Sequence, residues 1–318
     1  MNENVIVSVI IPTYNRSSLL IDSLRSVAKQ SLHNLECIII DDGSADDTED
    51  IVNSFIEKDS RFKYFKRSSE YAIGACGSRN MGFDLSNGKY IQYLDDDDLL
   101  SRDKLELQVN NLEDQKSKNV FTTCDWDVYW ESKDFEPKNI FNNQKKILAD
   151  EYLDKLAENE TFIPYHTFLI PRNVVKNAGL WNVDLTINDD AEFMLRILLN
   201  SDGLINTKDC YVLYRTHNEN RLSSSYNKDS LKSILKSYDI MSSNLSLRSL
   251  KSRKFFKWRL RRLLLAFWRT DKLIFLSYKN LFAEYGVFLG ISYYYLLRND
   301  LYMLVYPLYK KVKRSIKL

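Results

Sequence analysis

Short β-branched runs that stop abruptly in polar residues constrain this chain most. Residues 5–11 read Val-Ile-Val-Ser-Val-Ile-Ile, and residues 35–40 read Leu-Glu-Cys-Ile-Ile-Ile. Runs of this length and branching form strands buried on both faces. Residues 17–30 lie between them, with Leu20, Leu24 and Val27 on one helical face. The pattern continues with helices over 46–57, 74–86 and 102–112, short strands over 62–65 and 90–94, and an extended stretch over 120–130. Such alternation predicts a mostly parallel sheet covered by helices on both faces.

Sheets of this kind bind ligands beyond the carboxyl ends of their strands. The first strand runs into Pro12, Thr13, Tyr14, Asn15 and Arg16; the second into Asp41, Asp42, Gly43 and Ser44; the strand at 90–94 into Asp95, Asp96, Asp97 and Asp98. The two acidic corners are expected on neighbouring strand ends. Four consecutive aspartates read as a solvated turn or as a cation site. Their place between an apolar strand and Leu99-Leu100 favours the cation, because crowded carboxylates repel unless compensated. Oxygen ligands facing a pyrophosphate suit Mg²⁺ or Mn²⁺. Asp41-Asp42-Gly43-Ser44 fits a simple turn, with Asp46 capping the next helix, or a carboxylate facing a base N–H. Residues 74–80, Gly-Ala-Cys-Gly-Ser-Arg-Asn, lack the spacing of a dinucleotide fingerprint, which disfavours a dehydrogenase. Arg79 either supports the acidic rim or faces phosphate. Asp189-Asp190 opens a helix over 189–199, where acids are favoured by capping and the helix dipole, or supplies a general base.

The rest of the chain is of another character. Residues 131–160 read as a polar insertion with one helix, 171–177 as a short helix with Pro at its start, and 211–215 as a strand. From 229 onward the pattern is helical. Residues 231–318 hold 19 Lys+Arg against 4 Asp+Glu, whereas residues 1–230 hold 26 against 39. Two domains are therefore expected, 1–228 and a basic, aromatic-rich helical region 229–318. Within the latter, Phe256, Leu260, Leu263, Leu264 and Phe267 share one helical face, with Lys254, Lys257 and Arg261 opposite. This reads as ordinary packing or as a helix on an anionic leaflet, with the 310–317 tail favouring the leaflet. Nucleic acid is disfavoured by the acidic front half. Four scattered cysteines imply reduced thiols, and neither a signal peptide nor a long apolar span is evident. The expected location is cytoplasmic, peripheral at the inner face of the membrane.

These motifs, in this order, resemble family 2 glycosyltransferases. The resemblance is carried by residues 7–16, Asp41–Ser44, Gly77–Asn80, Leu94–Asp98, Ala178–Asn182 and Asp189–Glu192, and covers roughly residues 5–220. It implies a GT-A fold and an inverting transfer of a sugar from a nucleotide-sugar donor, UDP-linked by resemblance, to an acceptor hydroxyl of a glycan or lipid-linked glycan. Surface polysaccharide synthesis, such as O-antigen or capsule, is the implied setting. Donor contacts would come from Pro12, Thr13, Tyr14, Asp42, Arg79, Asp95 and Asp96. Asp97 would take the metal, joined by His217 in Tyr214-Arg215-Thr216-His217. Asp190 matches the family's base, and His166 lies where members shape the acceptor pocket. The family's Glu-Asp is here Asp189-Asp190, and its Gly-Gly-Phe-Asp is Gly-Leu-Trp-Asn, so acceptor contacts are expected to differ. The competing classes are a non-catalytic nucleotide-sugar-binding subunit, disfavoured by intact Asp97 and Asp190, and a nucleotidyltransferase, disfavoured by the missing Gly/Arg/Lys-rich phosphate loop.

Overall fold

A computed structural model describes residues 5–129, 138, 140–141, 146–216, 227–247, 252–267 and 271–287. Two compact units divide the chain, Met1–Tyr226 and Asn227–Leu318.

The first unit begins β1 (Val7–Thr13), α1 (Ser17–Ala28), β2 (Leu35–Asp41), α2 (Thr48–Ile56), β3 (Phe62–Lys66), α3 (Ala75–Leu85) and β4 (Tyr90–Tyr93). It continues with β5 (Leu99–Leu100), α4 (Lys104–Glu113), β6 (Val120–Tyr129), α5 (Ala149–Glu158), β7 (Ile170–Pro171), α6 (Arg172–Ala178), α7 (Asp189–Leu199) and β8 (Gly203–Arg215). A five-stranded sheet runs β3-β2-β1-β4-β7, and a smaller one β5-β8-β6. The first four strands of the larger sheet are parallel, and β7 is antiparallel to β4. Every residue of β1 and β2 is buried, as continuous β-branched runs require. Leu20, Leu24 and Val27 of α1 pack onto the sheet, each fully buried and worth about 1.5–3 kcal/mol. On the other face α3 approaches closely: a Cβ on Gly82 would sit 2.4 Å from Cγ2 of Ile10.

Several expectations change. β2 and β4 are not neighbours; they flank β1, so Thr13 stands between the two acidic corners. Pro171 ends β7 and lies just outside α6. β8 starts at Gly203, eight residues before the strand expected at 211–215. Its polar stretch at 206–209 breaks the alternation, and its pairing with β6 shifts register between Thr123 and Asp125. Asp46 serves the start of α2 from one residue further out than the flanking Asp47: it accepts the Thr48 N–H at 3.2 Å and the Thr48 hydroxyl at 2.5 Å, and it also accepts the Ser17 N–H at 2.9 Å, at the start of α1. All four cysteines are buried and unbridged.

At the opposite sheet edge, Glu36 fastens the amino ends of the strands. It accepts from the Ser8 hydroxyl at 2.7 Å, Asn87 N–H at 2.6 Å and Lys63 Nζ at 2.7 Å. Burial works against its charge, but Lys63, Asn87 and Ser8 outweigh it and hold the carboxyl below its ordinary value. A depressed folded value contributes stability above the unfolded pKa of about 4.3 that is lost as pH falls below it. Glu36→Gln is expected to cost about 1–3 kcal/mol in neutral denaturant titrations. The difference from wild type should shrink as pH falls below about 4; an unchanged difference there would assign the loss to shape and not charge.

The second unit holds α8 (Lys228–Leu247), α9 (Arg253–Phe267), α10 (Lys272–Ser277) and α11 (Lys279–Glu284).

Candidate active site

The carboxyl ends of β1 and β2 pair in register, Thr13 opposite Asp41. The two aspartates at the end of β2 have separate roles. Asp41 builds the turn: its Oδ1 accepts from Gly43 N–H, Ser44 N–H and the Ser44 hydroxyl, and its Oδ2 from the Tyr64 hydroxyl at 2.5 Å. Gly43 sits at φ 97°, a conformation other residues resist. Asp42 points elsewhere, pairing with Arg67 Nε and accepting the Gly74 N–H at 2.7 Å. The loop after β1 interlocks with this turn, because Asn15 accepts the Ala45 N–H at 2.7 Å and donates its own N–H to Ser44 Oγ at 2.9 Å. Pro12 and Thr13 are buried in β1, while the Tyr14 ring is 56% exposed at the rim beside Asp42's turn.

The acidic run after β4 is compensated from four directions. Thr13 Oγ1 donates to Asp96 at 2.8 Å. Arg16 Nη1 lies 3.2 Å from Asp96 and 3.0 Å from Asp97. Arg79 and the Tyr165 hydroxyl both donate to Asp95 Oδ1, the former at 3.0 Å. Arg215 donates its backbone N–H to Asp98 at 2.7 Å and its Nε to the Asp97 carbonyl at 3.0 Å. Compensation is incomplete at Asp96: burial, then the charge of Asp97, push its carboxyl up to about 7 despite Arg16 and Thr13. At Asp95 burial also opposes ionisation, but Arg79 and Tyr165 prevail and the carboxyl lies below its ordinary value.

A turn at Tyr165–Thr167 underlies this run, held by a buried amide network. Lys104 Nζ donates to Gln92 and, at 2.7 Å, to Gln108. Those amides donate to the carbonyls of His166 at 2.8 Å and Thr167 at 2.9 Å. Tyr165 is thereby aimed at Asp95. His166 is 1% exposed, with Nδ1 3.1 Å from Asp98 Oδ2 and its ring stacked on Tyr214. Burial pushes the imidazole down to about 3, so it is neutral. The expectation that His166 shapes an acceptor pocket gives way to an interior position beneath the acidic turn. Among the described residues, Asp95, Asp98 and His166 bring potential metal-ligand atoms within 4.8 Å of one another.

Arg79 connects this turn to the start of α7. Its Nη1 donates to Asp189 at 3.1 Å, its Nη2 to Asp95, and its guanidinium lies over the rings of Trp181 at 4.3 Å and Tyr165 at 4.8 Å. At 5% exposure it acts through carboxylates, which corrects the expectation of a direct donor contact. The next residue, Asn80, clamps Trp181 with two hydrogen bonds, 2.9 and 3.0 Å. Trp181 stacks on Phe193 of α7 at 4.2 Å. Arg196 then fixes 178–180 against α7 by pairing with Glu192 and donating to the carbonyls of Ala178, Gly179 and Leu180. Asp190 is half-buried; its Oδ1 accepts the Ala191 N–H at 2.8 Å, and its charge acts on the buried Tyr152 phenol of α5.

Thr13 thus meets Asp96 directly, Arg16 ties Asp96 to Asp97, Asp42 joins through Gly74 at the head of α3, and Asp190 joins through its neighbour Asp189 and Arg79. His217 lies outside the described residues. Arg16, Arg67, Tyr165 and Arg215 were not singled out from sequence. Arg16 stood in plain view after Asn15; the others are joined to the acidic corners only by folding.

A Rossmann-like sheet with acidic strand ends on one rim is the GT-A architecture. The sequence profile of glycosyl transferase family 2 matches residues 8–179, and the chain belongs to that family. It is 32% identical over 212 residues to an Escherichia coli UDP-Glc:alpha-D-GlcNAc-diphosphoundecaprenol beta-1,3-glucosyltransferase, covering 67% of this chain and 78% of the relative. An uncharacterized glycosyltransferase of Rickettsia bellii is 45% identical over 108 residues, which are 34% of this chain and 15% of that protein. Staphylococcus aureus TarS, solved in complex with UDP-GlcNAc, shares the fold with a TM-score of 0.66 at 18% identity, over 81% of this chain and 72% of that one.

Proposed function

We propose that the unit Met1–Tyr226 is an inverting, divalent-metal-dependent glycosyltransferase that moves a sugar from a UDP-sugar to a hydroxyl of a lipid-linked glycan, in bacterial surface polysaccharide synthesis at the inner face of the membrane. The observation that carries the reading is the Arg79 bridge, which puts the acidic turn and the start of α7 one guanidinium apart. The names of the Escherichia coli relative and of TarS support UDP, and the former supports a lipid-diphosphate acceptor.

In this reading the exposed Tyr14 ring faces the uracil, Asp42 accepts from its N–H, and Pro12 and Thr13 shape the same wall. Asp95 and Asp96 hold the ribose. Asp97 takes Mn²⁺ or Mg²⁺, with His217 as a second ligand. The fit rests on donor chemistry: hard carboxylate oxygens converge on a point where Arg16 already places positive charge. When bound, the ion neutralises charge on the departing diphosphate. Asp190 removes the acceptor proton as the hydroxyl attacks the anomeric carbon opposite the leaving group, so configuration inverts in one displacement. Arg79, through Asp95 and Asp189, keeps base and donor in register.

The test is a donor screen with Mn²⁺, reading thermal shift and sugar release across UDP-, GDP- and dTDP-sugars, then the anomeric configuration of the product. UDP-sugars should stabilise the protein, and an α-linked donor should give a β-linked product. Binding of none of them in the presence of metal would overturn the reading.

A further inference from the structure

Helix α9 of the second unit has an apolar face that is already used. Phe255, Phe256, Leu260, Leu263, Leu264 and Phe267 are buried. Phe256 stacks on Tyr285 at 4.4 Å, and Phe255 and Phe256 meet Tyr238 edge-on. That face cannot enter a bilayer without unfolding the unit. Among the described residues no helix is long and apolar enough to cross one.

The opposite face is the informative one. Arg253, Lys254, Lys257, Arg261 and Arg262 are all exposed. They fall on one stripe, four residues apart along 253, 257 and 261, with no acid anywhere in the helix. The stripe is about 14 Å long. Two acids of the unit pair with lysines of α8, Asp229 with Lys232 and Asp271 with Lys228. Like charges at this spacing repel, and the helix is relieved when counter-charge comes from outside.

We infer that the cationic stripe of α9 is a docking face for an anionic phospholipid surface, gripped by head-group phosphates without insertion of the apolar face. Lipid is favoured over nucleic acid because the same unit exposes apolar side chains, Leu265 at 43%, Leu273 at 75% and Leu276 at 49%, which suit a head-group boundary. The inference deepens the acceptor side of the proposed function by naming the surface on which a lipid-linked glycan would be met. It is tested without donor or acceptor, so the two can fail separately.

The experiment is vesicle co-sedimentation of the full chain with phosphatidylglycerol-containing and pure phosphatidylcholine vesicles. The expected result is binding to the anionic vesicles alone, released near 1 M salt, where the screening length is about 3 Å. Arg253→Gln, Lys257→Gln, Arg261→Gln and Arg262→Gln combined should weaken binding about hundredfold or more. A control of equal charge change in exposed lysines of the first unit, Lys29→Gln, Lys58→Gln, Lys176→Gln and Lys208→Gln, should bind as wild type. If circular dichroism shows the fourfold α9 variant unfolded, the pair Arg261→Gln and Arg262→Gln takes its place, with an expected loss of roughly tenfold or more. Equal binding to both vesicle types, wild-type binding by a folded α9 variant, or binding of an RNA or DNA oligonucleotide without vesicles would overturn the inference.

Discussion

Asp190→Asn should lower kcat by about 10²–10⁴ while leaving metal-dependent UDP affinity within about twofold. The substitution keeps the shape and the Oδ1 that accepts the Ala191 N–H, so α7 should start as before. What it removes is the capacity to take a proton. Asp190 is linked to the donor turn through Asp189 and Arg79, which the substitution leaves in place, so ground-state donor binding is expected to persist. Steady-state kinetics beside UDP calorimetry separate the outcomes. A joint loss of kcat and UDP affinity would move Asp190 into the donor site; an unchanged kcat would remove it from the chemistry.

Arg79→Met should damage both stability and activity. Arg79 is buried between two carboxylates and two aromatic rings. Removing one partner of a buried ionic group strands the others, at a cost of about 3–5 kcal/mol; because Asp95 is 31% exposed, the lower end is expected here. Asp95, held below its ordinary value by Arg79 and Tyr165 against burial, should then titrate higher. The acidic turn and α7 lose their common anchor, and a displacement of about 1 Å at a reacting centre can cost about 10²-fold in rate. Arg79→Lys should rescue stability more than activity: an ammonium restores charge but cannot span Asp95 and Asp189 or stack on Trp181. If Arg79→Lys restored kcat fully, charge alone would explain the residue. Melting temperature read beside kcat distinguishes these outcomes.

Why some of this site was readable from sequence is a matter of distance along the chain. Thr13, Asp42 and Asp95–Asp97 stand where buried β-branched runs end, and parallel sheets gather such ends on one rim. The order of those ends was not readable. Nothing in the local pattern says that β1 lies between β2 and β4, yet that placement lets Thr13 and Arg16 reach the acidic run. Arg79 was singled out with support of the acidic rim as one of its two readings, and it does hold Asp95, but its link to Asp189, 110 positions away, was not readable. Tyr165 and Arg215 lie 70 and 118 positions from the carboxylate and carbonyl they hold; Tyr165 carries no motif of its own, and Arg215 entered only as a neighbour of His217. The early part of β8 escaped for a different reason: Asn206, Thr207, Lys208 and Asp209 look like a loop, and pairing with β6 holds the strand only on either side, up to Asn206 and again from Tyr211. In the second unit the helical wheel gave both faces of α9, but not whether the apolar one meets protein or a leaflet.

The most direct test is calorimetric titration of UDP, with and without Mn²⁺, into wild type and Asp97→Asn. The expected result is metal-dependent binding by wild type that Asp97→Asn loses. Absence of UDP binding by wild type with Mn²⁺, or undiminished metal-dependent binding by Asp97→Asn, would contradict a donor site built on the acidic turn.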